Sequence, residues 1–153
     1  MPLLAQNKKG VFNYTILEEY EAGIVLFGHE VKSLRQKHMS MKGAYVSIRP
    51  TGRNGSPEAW LLHAYISPYE KAGALSSYDP ERPRKLLLRN KELKTLLGKT
   101  KTEGLTLIPL SVYTRHNRLK VRIGLGRGKT KIDKRETIKK REIGRKIREV
   151  MKI

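Results

Sequence analysis

Two stretches late in the chain limit what it can fold into. Leu119–Leu125 reads LKVRIGL, with apolar and polar residues alternating one by one. That period of two belongs to a β-strand with one wet face, and it cannot wrap into an amphipathic helix. Leu105–Thr114, LTLIPLSVYT, is a second strand-like run, and His116-Asn117-Arg118 stands between the two. The arrangement predicts a β-hairpin.

Much of the remaining chain carries the same signature. Phe12–Tyr20 alternates and is rich in aromatic and β-branched residues. Gly23–Gly28 is a short apolar run between glycines, which predicts a buried strand. Ala44–Pro50 and Glu58–Ile66 read as paired strands, joined by the flexible loop TGRNGSP. Two segments have a helical period instead. In His29–Lys37, Val31, Leu34 and Arg35 share the spacing, with Glu30 towards the N-terminal end and basic residues towards the other, the order a helix dipole favours. In Leu86–Lys99, Leu88, Leu93, Leu96 and Leu97 repeat at helical intervals and Gly98 offers a stop. Ser67–Arg84 reads as a long irregular connection. Many short strands and few short helices predict a mainly β chain: an antiparallel closed β-barrel of the oligonucleotide-binding kind, with two or three peripheral helices. Closure is the economical answer because it removes edge strands. A strand-rich sandwich satisfies the same periodicity.

The pattern changes after Gly128. From Arg127 onward twelve Lys and Arg stand against four Asp and Glu. We therefore divide the chain into a β domain, residues 1–128, and a basic C-terminal tail, residues 129–153. Ile143, Ile147, Val150 and Met151 would form one apolar stripe on a tail helix. Gly144 weakens such a helix, and isolated helices of this length are marginal in water. The expectation is a tail disordered when free and helical in an RNA or ribosomal groove; a helix docked permanently on the body is the alternative.

Charge narrows the partner. The chain carries 33 Lys and Arg against 14 Asp and Glu, a formal net charge of +19. A compact protein so charged repels itself unless a polyanion neutralises it. Nucleic acid is the leading candidate, ahead of an anionic membrane, because no apolar run approaches the roughly 20 residues needed to span one. No signal-peptide pattern and no cysteine are present, which predicts a soluble, cytoplasmic chain without disulfides or thiolate metal sites. Three basic clusters stand out: Lys32 with Arg35; Arg82, Arg84, Lys85 and Arg89; and Arg127, Lys129 and Lys131. The last contains Gly128-Lys129-Thr130, the ending of a nucleotide P-loop, but no glycine stands five residues before Gly128, so the nucleotide cradle is absent.

Catalytic patterns are missing. The four histidines show no metal-binding spacing, no serine sits in a nucleophile elbow, and no cofactor motif occurs. We expect a binding protein, not an enzyme, with no cofactor or metal. A structural protein of the ribosome and a metal-dependent nuclease built on Glu21 or Asp133 are the competing classes.

Three blocks, YEAGIVLFGHEVKSLR (Tyr20–Arg35), YDPERPRKLLL (Tyr78–Leu88) and GRGKTKIDKR (Gly126–Arg135), resemble the SsrA-binding protein (small protein B) family in order and spacing. The resemblance runs from about Asn7 to the C-terminus. It implies an oligonucleotide-binding-like barrel that grips the tRNA-like domain of transfer-messenger RNA (tmRNA). It further implies a chain, a monomer when free, that delivers this RNA to stalled ribosomes for trans-translation. By resemblance Glu21, Leu87, Arg127, Gly128 and Lys129 are RNA contacts, joined by Lys32, Arg35, Arg84, Lys85, Arg89 and Lys131. Ile132, Asp133, Lys134 and Arg135 would open the part of the tail that enters the decoding centre and empty mRNA channel, with Ile143, Ile147, Val150 and Met151 following. This chain departs from the family pattern at Arg89, Thr130, Ile132 and Ile143, where Asn or His, Lys, an aromatic or His, and an aromatic are common.

Overall fold

A computed structural model of the chain describes residues 2–70 and 77–151. Its strands are β1 (Leu3–Gln6), β2 (Tyr14–Ile24), β3 (Met39–Ser40), β4 (Tyr45–Arg49), β5 (Glu58–Leu62), β6 (Tyr65–Ile66), β7 (Arg84–Leu87), β8 (Thr106–Arg115) and β9 (Arg118–Gly128). The helices are α1 (Lys8–Asn13), α2 (Gly28–Arg35), α3 (Asn90–Thr102) and α4 (Lys131–Met151).

Seven strands form one antiparallel sheet in the order β1-β8-β9-β2-β7-β5-β4, and β3 pairs with β6 apart from it. The mainly β reading holds; the closed barrel does not. The sheet curls until β4 packs beside β8, yet no ladder joins them among the described residues, so β1 and β4 remain edges. A groove lined by Val46, Ile48, Leu97 and Leu107 lies where such a ladder would run.

Alternation builds the core. Along β9, Val121, Ile123 and Leu125 point inward and are buried, while Arg118, Lys120 and Arg122 take the wetter face. They meet Ala22, Leu61, Leu86 and Val112 from the neighbouring strands, with Leu34 from α2 and Leu93 and Leu96 from α3 closing over them. Full burial of a leucine such as Leu96 contributes about 2 kcal/mol.

Local chemistry moves several boundaries. The predicted strand Phe12–Tyr20 begins two residues later, because Lys8–Asn13 is helical. Asn7 starts that helix: its Oδ1 accepts from the Gly10 amide at 3.0 Å and its Nδ2 donates to the Pro109 carbonyl at 2.8 Å. Gly23–Gly28 is not a separate buried strand. β2 runs through to Ile24, and the chain then turns outward with Val25 and Phe27 exposed. The apolar run at Leu86 belongs to β7 before α3 begins, and Gly98 lies inside α3. The glycine that ends α3 is Gly104, at φ +64°, a conformation costly for a residue with Cβ. Residues 71–76 of the irregular connection lie outside the described residues. Among the described residues no helix is long and apolar enough to cross a membrane.

Candidate nucleic-acid interface

The hairpin predicted from alternation organises one end of the molecule. His116 and Asn117 both take positive φ, 50° and 61°, so a two-residue turn of type I′ geometry joins β8 to β9. Arg115 and Arg118 pair across its base. Beside them β2 places Glu21 opposite Arg122. The Glu21 carboxylate accepts from the Tyr113 hydroxyl and from Arg115 Nη1 at 3.1 and 3.2 Å. The Tyr113 hydrogen bond, followed by Arg115 and Lys120, outweighs partial burial and holds this carboxyl below the ordinary range. Burial and then Glu21 push the Tyr113 hydroxyl up. Glu21 thus stays anionic among cations, able to accept from a base amino group or a ribose hydroxyl.

Glu21, Arg115, His116, Arg118 and Lys120 line a cleft of about 590 Å³. It continues, through Arg118 and Lys120, into a groove of about 300 Å³ floored by Ile24, Leu26, Val31, Leu87 and Leu119. Arg35 bounds the groove, its Nη2 reaching the Asn117 carbonyl at 3.4 Å. Of the residues singled out in the sequence, Glu21, Arg35 and Leu87 therefore converge. Arg115, Arg118, Lys120 and the turn residues were missed. The wet-face alternation of LKVRIGL was the signal for Lys120, since it sets Lys120 and Arg122 on the side away from the core.

The other predicted contacts lie elsewhere. Lys32 turns to the ring of Tyr69, 5.6 Å away. Arg84 is not a surface cation. It is fully buried, with Nε and Nη2 donating to Glu30 Oε2 at 3.0 and 2.6 Å, and β7 carries it inward to the buried Glu30 of α2. Lys85 pairs with Glu58 at 2.5 Å on the β5 side. Arg89 precedes α3 and is exposed.

Arg127, Gly128 and Lys129 sit at the far end of β9, about 30 Å from the hairpin turn at the rise of a strand. Arg127 and Gly128 are exposed. Lys129 Nζ donates to Thr137 Oγ1 at 2.9 Å and lies 5.8 Å from the Phe12 ring, which Arg141 also faces at 5.2 Å. Thr130 and Asp133 cap α4 reciprocally: the Thr130 amide donates to Asp133 Oδ2 and the Asp133 amide to Thr130 Oγ1, both at 3.2 Å. Lys134 and Arg135 follow in the first turns, Lys134 half-buried and Arg135 exposed. At about 100° per residue, Ile132, Ile143 and Ile147 fall within about 60° on one face, whose centre is about 130° from that of Thr137 and Arg141, the side on which Arg141 faces Phe12 of α1. All three isoleucines are exposed. The side chains of Lys131, Val150 and Met151 lie outside the described residues.

A family model described as "SmpB protein" matches residues 4–153. The chain belongs to the SmpB family. It is 50% identical to the "SsrA-binding protein" of Thermosipho melanesiensis over 153 residues, covering 99% of both chains. It is 47% identical to the protein of that name from Gloeothece citriformis, over 98% of this chain and 93% of the relative. A solved structure described as "tmRNA-SmpB: a journey to the center of the bacterial ribosome" superposes with a TM-score of 0.65. At 42% identity it covers 90% of this chain and 95% of that one. SmpB-family membership explains why the three quoted blocks occur together; of their residues, Glu21, Arg35 and Leu87 meet at the hairpin end, and Arg127, Gly128 and Lys129 stand at the far end of β9.

Proposed function

We propose that the protein is a non-enzymatic, cytoplasmic RNA-binding adaptor that grips the tRNA-like domain of tmRNA and carries it to stalled ribosomes for trans-translation. The observation that carries this reading is the continuous cleft at the hairpin end. It combines one anionic acceptor, an apolar floor and cations, as recognition of a folded RNA requires. The names of the SsrA-binding relatives and of the tmRNA-SmpB structure support the same partner. The curled sheet then acts as an open form of the oligonucleotide-binding barrel, and the free protein is a monomer. Residues 129–153 are the ribosome-directed part, with Asp133, Lys134 and Arg135 at its root and the isoleucine face turned to the decoding centre and mRNA channel. The tail is disordered in the free protein and gains its helix on the ribosome.

The test measures affinity for the isolated tRNA-like domain of tmRNA as a function of salt. Changing Arg118 and Lys120 together to alanine weakens binding and lowers the salt slope by about 2, one for each phosphate partner lost. Changing Asp133, Lys134 and Arg135 to alanine leaves that affinity intact and abolishes peptide tagging on stalled ribosomes. Loss of RNA affinity in the triple variant would refute the division between body and tail.

A further inference from the structure

We propose that Phe27 is a stacking platform for one unpaired nucleobase of the bound RNA, at the rim of the groove floored by Leu26, Val31 and Leu87. The inference rests on the RNA-binding reading of that groove and adds a named base-recognition residue to it.

Phe27 is one of only two phenylalanines in the chain, and it is 51% exposed. It stands immediately before α2, four residues before Val31 and eight before Arg35, so all three lie along one row. Val31 and Arg35 line the groove together with Leu26, the neighbour of Phe27, and Phe27 stands at the N-cap of α2 just beyond that lining. Val25 and Leu87 are exposed nearby in the chain and the groove, 48% and 52%, making an apolar patch where Arg35, Arg118 and Lys120 supply positive charge.

The ring is held as a rigid element. The Arg82 guanidinium carbon lies 3.8 Å from its centroid, a distance reached only over a ring face. Arg82 is itself fixed by an ion pair with Glu30, which is wholly buried. The Phe27 amide donates to Glu30 Oε1 at 2.9 Å. One carboxylate therefore anchors both the ring's backbone and the cation backing the ring. The His29 ring lies 5.6 Å away at a tilt of 37°, and the half of the Phe27 surface that stays exposed is the part offered to a planar partner.

Chemistry selects the occupant. A net charge of +19 draws a polyanion, and nucleic acid is the polyanion that carries an aromatic ring on every unit. A simple phosphate polymer uses the cations and ignores the ring. An acidic peptide would do the same unless an aromatic residue were placed within it.

The experiment places the only tryptophan at the site. Trp60 is the single tryptophan of the chain, so Trp60→Phe with Phe27→Trp reports from position 27 alone. The tRNA-like domain of tmRNA is expected to quench this fluorescence strongly, and inorganic polyphosphate or polyglutamate to leave it unchanged. In the parent protein Phe27→Ala weakens RNA binding about tenfold or more, with polyphosphate affinity unaltered. Phe27→Leu keeps apolar bulk without a π face and is expected to match the alanine variant, whereas Phe27→Tyr restores affinity. Wild-type affinity in Phe27→Leu, or equal quenching by polyphosphate or polyglutamate, would overturn the proposal while leaving RNA binding standing. A parent protein that binds polyphosphate as tightly as the RNA overturns both readings together.

Discussion

Glu30 is a charged group at the centre of a small protein, and its surroundings keep it charged. Burial alone would raise its carboxyl; the Arg82 hydrogen bond, the Phe27 amide and Arg84 outweigh that and hold it below the ordinary range. Tyr78 donates a further hydrogen bond at 3.0 Å, and burial followed by Glu30 pushes the Tyr78 hydroxyl up to about 12. Removing Arg84 leaves the buried Glu30 charge with Arg82 as its one remaining ion-pair partner among the described residues and empties a fully buried site, so Arg84→Ala is expected to cost about 3–5 kcal/mol. For a chain of this length that lowers Tm by about 10 °C, readable by thermal denaturation. The pH dependence has a definite sign. A carboxyl depressed in the folded state contributes its stability above the unfolded value of about 4.3 and loses it as pH falls below that. Glu30→Gln is therefore expected to start from a lower Tm at pH 7 and to fall less steeply between pH 5 and 2 than the parent. An unchanged slope would mean that Glu30 is protonated throughout. Nothing local in the sequence announces this cluster. Glu30 and Arg84 are 54 residues apart, so Arg84 reads as one more surface cation in a basic block. Only the fold reveals that β7 carries it inward.

Elements were legible where their period was uninterrupted and obscure where a side chain from elsewhere decided the matter. The β8–β9 hairpin, the β4–β5 pair and α2 follow from spacing alone. α1 escaped because its cap, Asn7, reaches across to Pro109. β7 escaped because four residues between two longer strands carry too little pattern. The Thr130–Asp133 cap is legible in the sequence as a Thr-x-x-Asp capping motif at the start of α4. Gly98 was read as a stop because glycine is poor in helices, yet α3 passes through it. A Cβ placed there meets nothing within 4 Å. Gly98→Ala is therefore expected to stabilise the protein by about 1 kcal/mol, seen as a higher denaturation midpoint. Gly10 is the opposite case: an added Cβ would lie 2.6 Å from Asn7 Nδ2 and 2.8 Å from Ile108. Gly10→Ala is expected to loosen α1 and lower Tm. Gly144, like Gly98, has open space around it, so Gly144→Ala should raise the far-ultraviolet helical signal of the free protein without altering affinity for the tRNA-like domain.

At the scale of the whole molecule, the proposed function makes charge the source of RNA affinity and strand geometry the source of its placement. With roughly six to ten phosphates neutralised, affinity is expected to fall about 10³- to 10⁵-fold between 50 and 200 mM salt. A shallower dependence would shift the balance from phosphate contacts to base contacts. The candidate site was half legible. The resemblance supplied Glu21 and Leu87, while the hairpin cations and Phe27 required the sheet to be folded before their adjacency appeared. The pairing of β2 with β9, from Tyr14 against Gly128 to Gly23 against Lys120, also joins the hairpin end to the root of the tail. It makes the protein a ruler. The span between its working ends is graduated by residue, about 3.3 Å for each, and only an even number of residues can be added to both strands without turning the core face outward. A pair of two-residue insertions would lengthen the reach by about 7 Å, preserve the fold and still leave the tail out of register with whatever the head holds.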